Sequence, residues 1–428
     1  MKHFHKKILN ITSSEFFRNV AVVGGGIAAA QAINFTLTPF ITRLYGPEAF
    51  GTSAAITAII NIITPIATFG YSNAITLPKN ETVARSIAQL SIICGTIISL
   101  IIFILISIYL PKIAELANLK KDSQLLYLIP FSIFFTGLLS ITNQYLIRIG
   151  SFKEKSIIYV ETKFFTGLLK LIGGISLPSG IFLSAVILAE PIINIALQLT
   201  QLSKLKIFSF LKGITQKNIS SAASEYRDFP LFRMPQGVIR SGAMSLPILA
   251  LTNLYGASES GQYTLCALIL GAPVMVLADS VREVFYPKIT KSITNKTGNT
   301  KSIIIKISMH LFIIGIIPFG IIFIFGKTII PLIFGNQWTR AGEYSQWMSL
   351  WMLSTLACEP AISAMPALKI QSTLLTYELT ITIIRAVAIY AGSIISDDIM
   401  SISLFSIVNT IGCGILLSII INKSSKNA

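Results

Sequence analysis

The sequence has little charge for its length. Only 12% of its 428 residues are Asp, Glu, Lys or Arg, whereas soluble domains carry about 25%. Cysteine and histidine are also scarce, and the four cysteines lie inside apolar segments, with neither a CxxC pair nor metal-ligand spacing to the three histidines. A G-x-x-x-x-G-K-[ST] loop is missing as well. These absences argue against a zinc site, a Ser-His-Asp triad and a nucleotide-driven motor, so we expect neither enzymatic activity nor a metal or cofactor.

Apolar residues are abundant instead, at 53% of the chain with a mean hydropathy of +0.73. They form continuous runs of about 20 residues, the length of a bilayer-spanning helix, and do not alternate as in a β-barrel. Twelve runs can be delimited, at 19–41, 51–77, 87–110, 124–147, 156–177, 181–203, 231–254, 262–286, 303–325, 342–366, 370–392 and 399–421. The sequence therefore predicts an all-α polytopic membrane protein with twelve transmembrane helices.

The formal net charge of +16 is distributed unevenly along the chain. If the N-terminus is cytoplasmic, the inside loops and tails hold 22 of the 34 Lys and Arg residues, with Lys306 counted as a loop residue. The outside loops hold 6, and the other 6 lie inside predicted spans. Because basic loops stay in the cytoplasm, this bias places both termini there and favours an even number of spans. It also accounts for the basic composition without nucleic acid as a partner.

A short motif occurs twice, at an offset of 210 residues. Residues 42–51 read TRLYGPEAFG and residues 252–261 read TNLYGASESG, and each joins the first to the second predicted helix of its half. Six helices per half give both halves the same orientation, so the motif predicts two parallel six-helix repeats with the transport site between them. We expect lobes at residues 1–203 and 231–428, joined by a cytoplasmic linker at 204–230.

The repeated motif is interpreted as a periplasmic turn. Arg43 of the first copy is replaced by Asn253 in the second, so the charge does not repeat. Gly46 and Gly256 do repeat, and we expect them to supply backbone angles that other residues disfavour.

Ionisable residues inside the predicted spans are the candidate functional residues, since each costs ~2.5–3.5 kcal/mol to insert at bilayer depth. The basic candidates, for an anionic substrate, are Arg240, Arg233, Lys163, Lys170, Arg385 and Arg282. The acidic candidates, for coupling to a cation or for the cavity wall, are Glu190, Glu359, Glu378, Glu161 and Asp279.

Three pairs of these candidates are seven residues apart and share one helix face: Lys163 with Lys170, Arg233 with Arg240, and Glu378 with Arg385. Two of the pairs are purely basic, and two explanations remain open for them. Either acids on neighbouring helices, such as Glu161 or Glu190, neutralise them, or an anionic substrate does so in a wet cavity. Snorkelling to the cytoplasmic surface is also an open explanation for Arg233, Arg282 and Lys163, but it explains Arg240 near mid-span least well.

Prolines predict bends in several spans. Glu190 and Glu359 each precede a proline, and a carboxylate beside a bend suits a proton or sodium site, or else pairs with a neighbour. The first predicted helix contains GGGIAAAQAINFTLTPF at 24–40, and the seventh is also rich in glycine and proline. Bendable helices at matching positions of two halves are typical of a transport pathway.

Several stretches resemble one family. They are TPFITRLYGPEAFGTSAAI, FGYSNAITLPKNETVA, FPLFRMPQ, GQYTLCALILGAPVMVLADSVREVFYPKI and FGNQWTRAGEYSQWMSLW, spread from about residue 36 to 352. They resemble the polysaccharide biosynthesis proteins of the bacterial O-antigen flippase (Wzx-type) kind. That family belongs to the multidrug/oligosaccharidyl-lipid/polysaccharide exporter (MOP) superfamily.

The resemblance implies a V-shaped, two-lobed transporter of twelve helices in the bacterial inner membrane. It implies that an undecaprenyl-diphosphate-linked oligosaccharide, an O-antigen or similar repeat unit, moves to the periplasmic leaflet by alternating access. Polysaccharide polymerase and chain-length proteins would be the partners. Two other functions remain open: a cation-coupled multidrug exporter of the same superfamily, and a non-transporting scaffold for polysaccharide assembly. The buried basic pairs favour the anionic lipid-linked cargo over organic cations.

Overall fold

The computed structural model describes residues 2–116, 123–201, 215–294, 300–368 and 370–426. These residues form thirteen α-helices: α1 (Lys2–Leu44), α2 (Pro47–Ala67), α3 (Glu81–Leu116), α4 (Leu128–Arg148), α5 (Phe152–Ser176), α6 (Gly180–Gln201), α7 (Gln216–Glu225), α8 (Met234–Leu254), α9 (Ala257–Thr294), α10 (Thr300–Phe334), α11 (Thr339–Ala364), α12 (Gln371–Ile395) and α13 (Asp398–Lys426). A helix is present at each of the twelve predicted segments. The short α7 lies in the predicted linker, whose residues 204–214 are outside the described ranges.

Eight of the described helices are long and apolar enough to cross a membrane, namely α2, α3, α4, α6, α9, α10, α12 and α13. The protein is thus an all-helical polytopic membrane protein. The other four long helices, α1, α5, α8 and α11, carry more polar and charged residues, and these include five of the eleven predicted site residues. Twelve spans therefore require these four polar helices to cross the bilayer too, and that number stays a prediction.

The second helix is shorter than predicted. The apolar run 51–77 suggested one continuous span, but α2 ends at Ala67 and a 3-10 turn follows at Tyr71–Ala74. Between them, Phe69 has a φ of 46° and Gly70 a φ of 74°, and this left-handed conformation ends a helix. Hydropathy alone cannot register such an end, because the residues beyond it remain apolar.

The chain divides into two compact units. The first comprises residues 1–44 and 56–242, and the second comprises 45–55 and 243–428, so that the boundaries fall inside α2 and α8. In the first unit, α1 packs on α5, and α3, α4 and α6 enclose apolar clusters that include Ile87 and Ile133. In the second unit, α11 lies against α9, α10 and α13. The predicted lobe limits at 203 and 231 stay a prediction.

The repeated motif forms matching helix boundaries. Leu44 ends α1 and Leu254 ends α8, again 210 residues apart. The final glycines of the two copies pack reciprocally inside the second unit. A Cβ on Gly51 would lie 1.6 Å from the Ala257 carbonyl oxygen, and one on Gly261 would lie 1.9 Å from the Pro47 carbonyl oxygen. Close backbone approach therefore explains why both copies end in glycine.

The prediction that Gly46 and Gly256 adopt unusual backbone angles is correct for Gly256 and wrong for Gly46. Gly256 has a φ of 106°, which only glycine adopts readily, whereas Gly46 has no positive φ. In the first copy Pro47 begins α2, and its fixed φ already suits the first helical position, so Gly46 need not be left-handed.

Candidate functional site

A cavity of about 320 Å³ lies in the first unit beside the broken end of α2. We name it the first cavity. Arg233 and Arg240 both line it. They are seven residues apart, about two helical turns, and this spacing predicted that they would share one face. The opposite wall carries hydroxyl groups, from Thr64, Thr68, Ser72 and Ser140.

Irregular backbone from two segments shapes the first cavity. A π-helical turn at Phe229–Arg233 precedes α8 and contributes Arg233. A Cβ on Gly70, in the broken end of α2, would lie 3.3 Å from the Phe229 carbonyl oxygen, and one on Gly237 would lie 2.9 Å from Pro65 Cβ. Non-helical backbone at membrane depth is tolerated where it lines a cavity, and single π-turns are frequent at functional sites.

The two guanidinium groups of the first cavity have no acidic partner among the described residues. Both side chains are exposed, and within the described ranges neither forms an ion pair. Arg233 Nη1 donates to Gln236 Oε1 at 3.3 Å, a long contact with a neutral group. Across the cavity, the Ser140 hydroxyl lies 3.0 Å from Ser72 Oγ. A cavity with two uncompensated positive charges and neutral hydrogen-bonding walls is suited to an anion.

A second cavity, of about 420 Å³, is lined by α2, α4, α5 and α6 of the same unit. Here Lys163 Nζ lies 2.5 Å from Glu190 Oε1, with side chains 20% and 24% exposed. The ammonium also lies 5.7 Å from the centroid of the Tyr159 ring. For Lys163, the acid on a neighbouring helix is therefore the partner, so this charge is neutralised inside the protein.

A chain of side-chain amides adjoins the ion pair. Asn194 Nδ2 donates to Thr162 Oγ1 at 3.0 Å, and Gln198 Nε2 donates to Asn194 Oδ1 at 2.9 Å. Gln198 Nε2 also lies 3.4 Å from Asn143 Oδ1, which links α6 to α4. These bonds use the side-chain amides of Asn194 and Gln198, although Gln198 Oε1 has no partner among the described residues, and they fix the wall around Glu190.

The remaining candidates of the first unit lie on α5. Glu161 accepts a hydrogen bond from Gln201 Nε2 on α6. Lys170 is half-buried and lies two turns from Lys163, outside the lining of both cavities.

The candidates of the second unit are scattered. Glu359 is half-buried and precedes a proline inside α11. Glu378 and Arg385 both lie on α12, but no ion pair joins them, and the buried Arg385 Nε has no hydrogen-bond partner among the described residues. Asp279 and Arg282 belong to α9, and their side chains lie outside the described part of the structure.

The neutral polar residues of both cavities were missed by the sequence analysis. A signal for them exists in α2, where Thr57, Asn61 and Thr64 are spaced by four and three residues, and Thr68 follows one residue after the helix ends. That spacing places the three helical residues on one face of an otherwise apolar helix. Thr57 and Asn61 line the second cavity, and Thr64 and Thr68 line the first.

Comparisons with solved structures give the fold. A multidrug resistance MATE family transporter of the MOP superfamily, in an inward-facing conformation, has a TM-score of 0.73 at 14% identity, over 93% of this chain and 95% of its own. The lipid II flippase MurJ, in an inward closed conformation, has a TM-score of 0.71 at 13% identity, over 96% and 90%. A MOP superfamily transporter from Pyrococcus furiosus has a TM-score of 0.58 at 12% identity, over 96% of each chain.

Sequence comparisons give the family. No curated protein matches this chain. The profile described as polysaccharide biosynthesis protein matches residues 40–343, which is well over half of the chain. The resemblance stated from the sequence is thus confirmed at the level of the family. The fold is the one seen in MOP transporters, and two polar cavities lie in the first unit. Because the profile covers well over half of the chain, this protein belongs to the polysaccharide biosynthesis protein family.

Proposed function

We propose that this protein is a flippase that carries an undecaprenyl-diphosphate-linked oligosaccharide across the bacterial inner membrane by alternating access. The observation that supports this most is the first cavity, which Arg233 and Arg240 line with no acid among the described lining residues to neutralise them. Family membership supports the link to polysaccharide, and the fold is one that transporters use. The cargo is an O-antigen or similar repeat unit.

The chemistry of such a cargo matches the first cavity. A diphosphate carries its negative charge on oxygens that a guanidinium can bind through two parallel hydrogen bonds. The Ser140 hydroxyl donates to Ser72 Oγ, and Thr68 and Ser72 share one further hydrogen bond, so one hydroxyl proton of the Thr68–Ser72 pair stays available as a neutral donor. The prenyl chain is apolar and can remain in lipid, so only the head group has to enter the protein.

The charge of the cavity separates this proposal from a multidrug exporter. The fold is common to both kinds of transporter, and organic cations require acids and aromatic rings. The lining of the first cavity contains two arginines and no acid. A scaffold that moves nothing has no need of uncompensated charges in a cavity, since each is costly to place in a membrane.

The proposed orientation has both termini in the cytoplasm, on the basis of the Lys and Arg distribution. The turn between α5 and α6, at residues 177–179, then faces the periplasm. A Ser179→Cys variant should react with a membrane-impermeant maleimide added to intact cells. If the introduced thiol does not react, the proposed orientation is contradicted.

The function is tested by Arg240→Ala in cells that depend on this protein for surface polysaccharide. Removing the guanidinium should abolish surface glycan, because the diphosphate loses a charge-assisted contact worth ~1.5–3 kcal/mol. Arg227→Ala is the matched control: it removes an exposed arginine of the same unit that lines neither cavity. With both variants inserted at wild-type levels, normal glycan display in Arg240→Ala would contradict the proposed role.

A further inference from the structure

The second cavity contains hydrogen-bonding groups that the protein itself leaves unused. Asn61 and Thr136 line it, and neither side chain has a hydrogen-bond partner within the described ranges. The buried Gln198 Oε1, in the adjoining amide chain, also lacks a partner there. Unused amide and hydroxyl groups beside a cavity point to a ligand that both donates and accepts hydrogen bonds.

The charge of the second cavity differs from that of the first. The Lys163–Glu190 pair is neutral as a unit, and Lys155 is the one lining cation without an acid in the described residues. The first cavity has two guanidinium groups and no acid. A diphosphate, with a negative charge on each of its two phosphates, is therefore better placed in the first cavity, and an uncharged polar group in the second.

The two cavities succeed one another along a single helix face. Thr57 lines the second cavity and Thr64 lines the first, seven residues further along α2. Seven residues of α-helix extend about 10 Å, and two turns return to nearly the same direction. One elongated head group can therefore contact both cavities at the same time.

We infer that the second cavity is a saccharide subsite, which binds the hydroxyl groups of the sugars next to the diphosphate while the first cavity holds the diphosphate. This inference rests on the proposed function and deepens it. The Asn61 amide and the Thr136 hydroxyl donate to and accept from sugar hydroxyls. The Lys163–Glu190 pair presents a fixed donor and acceptor to a neighbouring pair of hydroxyls. Recognition of this kind requires no charge on the sugar.

The test compares two lipids on the purified full chain in nanodiscs. One is undecaprenyl diphosphate, and the other is the same lipid carrying a neutral tetrasaccharide. The wild type should bind the tetrasaccharide lipid about 10-fold more tightly, an increment typical of a few neutral hydrogen bonds. An Asn61→Ala/Thr136→Val double variant should lose this increment and bind undecaprenyl diphosphate within about twofold of the wild type.

Two controls separate the subsite from general damage. Thr96→Val removes an exposed hydroxyl of α3 that contacts only the Ile92 carbonyl of its own helix, at 3.0 Å, and should change neither affinity. Arg240→Gln should weaken the binding of both lipids by the same factor, since both carry the diphosphate. Unfolding temperatures of all variants show whether a loss reflects misfolding.

The outcomes distinguish the inference from the proposed function. Equal affinity of the wild type for the two lipids would overturn the subsite and leave the flippase proposal standing. An equal loss of affinity for both lipids in the Asn61→Ala/Thr136→Val variant would also overturn the subsite and leave the flippase proposal standing. If the wild type binds neither lipid, the proposed function itself fails.

Discussion

Arg240 and Lys163 are both basic side chains in polar cavities, but their surroundings give them different roles. Lys163 is held by Glu190 at 2.5 Å and is partly enclosed, so its charge is satisfied within the protein. Arg240 is exposed on the wall of the first cavity and forms no ion pair within the described ranges. The first arrangement supports local structure, and the second leaves a charge available for an anion.

The Lys163–Glu190 pair should show strong energetic coupling. Lys163→Met or Glu190→Gln leaves the other charge without its partner in a partly buried cavity. Each single change should lower the free energy of unfolding by roughly 1–3 kcal/mol, between values for exposed and buried pairs. The double variant should lose less than the sum, because no unpaired charge remains. Thermal unfolding of the four purified proteins measures this, and strictly additive losses would contradict the pairing.

Of the residues that line the two cavities, the sequence predicted most of the charged ones as candidates but not the neutral polar ones. Ionisable residues in apolar segments are conspicuous, because charge at bilayer depth is costly, and so Arg233 and Arg240 were predicted as candidates. Asn61 and Thr136 were not, since single amides and hydroxyls are common in membrane helices. Their position on a shared cavity wall becomes visible only when the fold brings α2, α4, α5 and α6 around one cavity.

At the scale of elements, the repeated motif marks a close helix contact. The beginnings of α2 and α9 approach through Gly51 and Gly261, and the carbonyl oxygens that a Cβ would meet belong to Pro47 and Ala257. These four positions are related in pairs by the offset of 210 residues. The motif is repeated because the same backbone contact is made from both sides.

This contact predicts a sharp difference between two glycines of α9. In Gly261→Ala the new Cβ would meet a backbone oxygen at 1.9 Å, and backbone cannot move aside as a flexible side chain can. We expect destabilisation of about 3 kcal/mol or more and little folded protein. Gly271→Ala is the matched control, since apart from its chain neighbours and the backbone of its own helix no described atom lies within 4 Å of its Cβ position. Size-exclusion profiles of membrane extracts measure both, and equal yields would contradict the close approach.

Helix existence could be predicted from the apolar runs, whereas helix ends could not. The run 51–77 stays apolar past Ala67, where α2 ends. What ends the helix is the left-handed backbone at Phe69 and Gly70, together with the approach of Phe229 from the π-turn. That approach joins residues about 160 positions apart in the chain, so a local pattern could not reveal it.

At the scale of the whole molecule, the fold and the cargo are specified separately. The chain has the MOP fold at 13–14% identity to a MATE transporter and to MurJ, so few individual residues are needed to define the architecture. Cargo choice instead depends on the charges that line the cavities. In the first unit, these are two uncompensated arginines in one cavity and a neutralised pair in the next.

The central claim is tested most directly by reconstituting the protein in vesicles with a fluorescent undecaprenyl-diphosphate oligosaccharide and measuring its exchange between leaflets with an impermeant quencher. The wild type should accelerate exchange well above protein-free vesicles. Arg240→Gln should slow it by at least about 10-fold, since a charged hydrogen bond is lost, while Arg227→Gln should match the wild type. No acceleration by the wild type, or equal rates for Arg240→Gln and the wild type, would contradict the account.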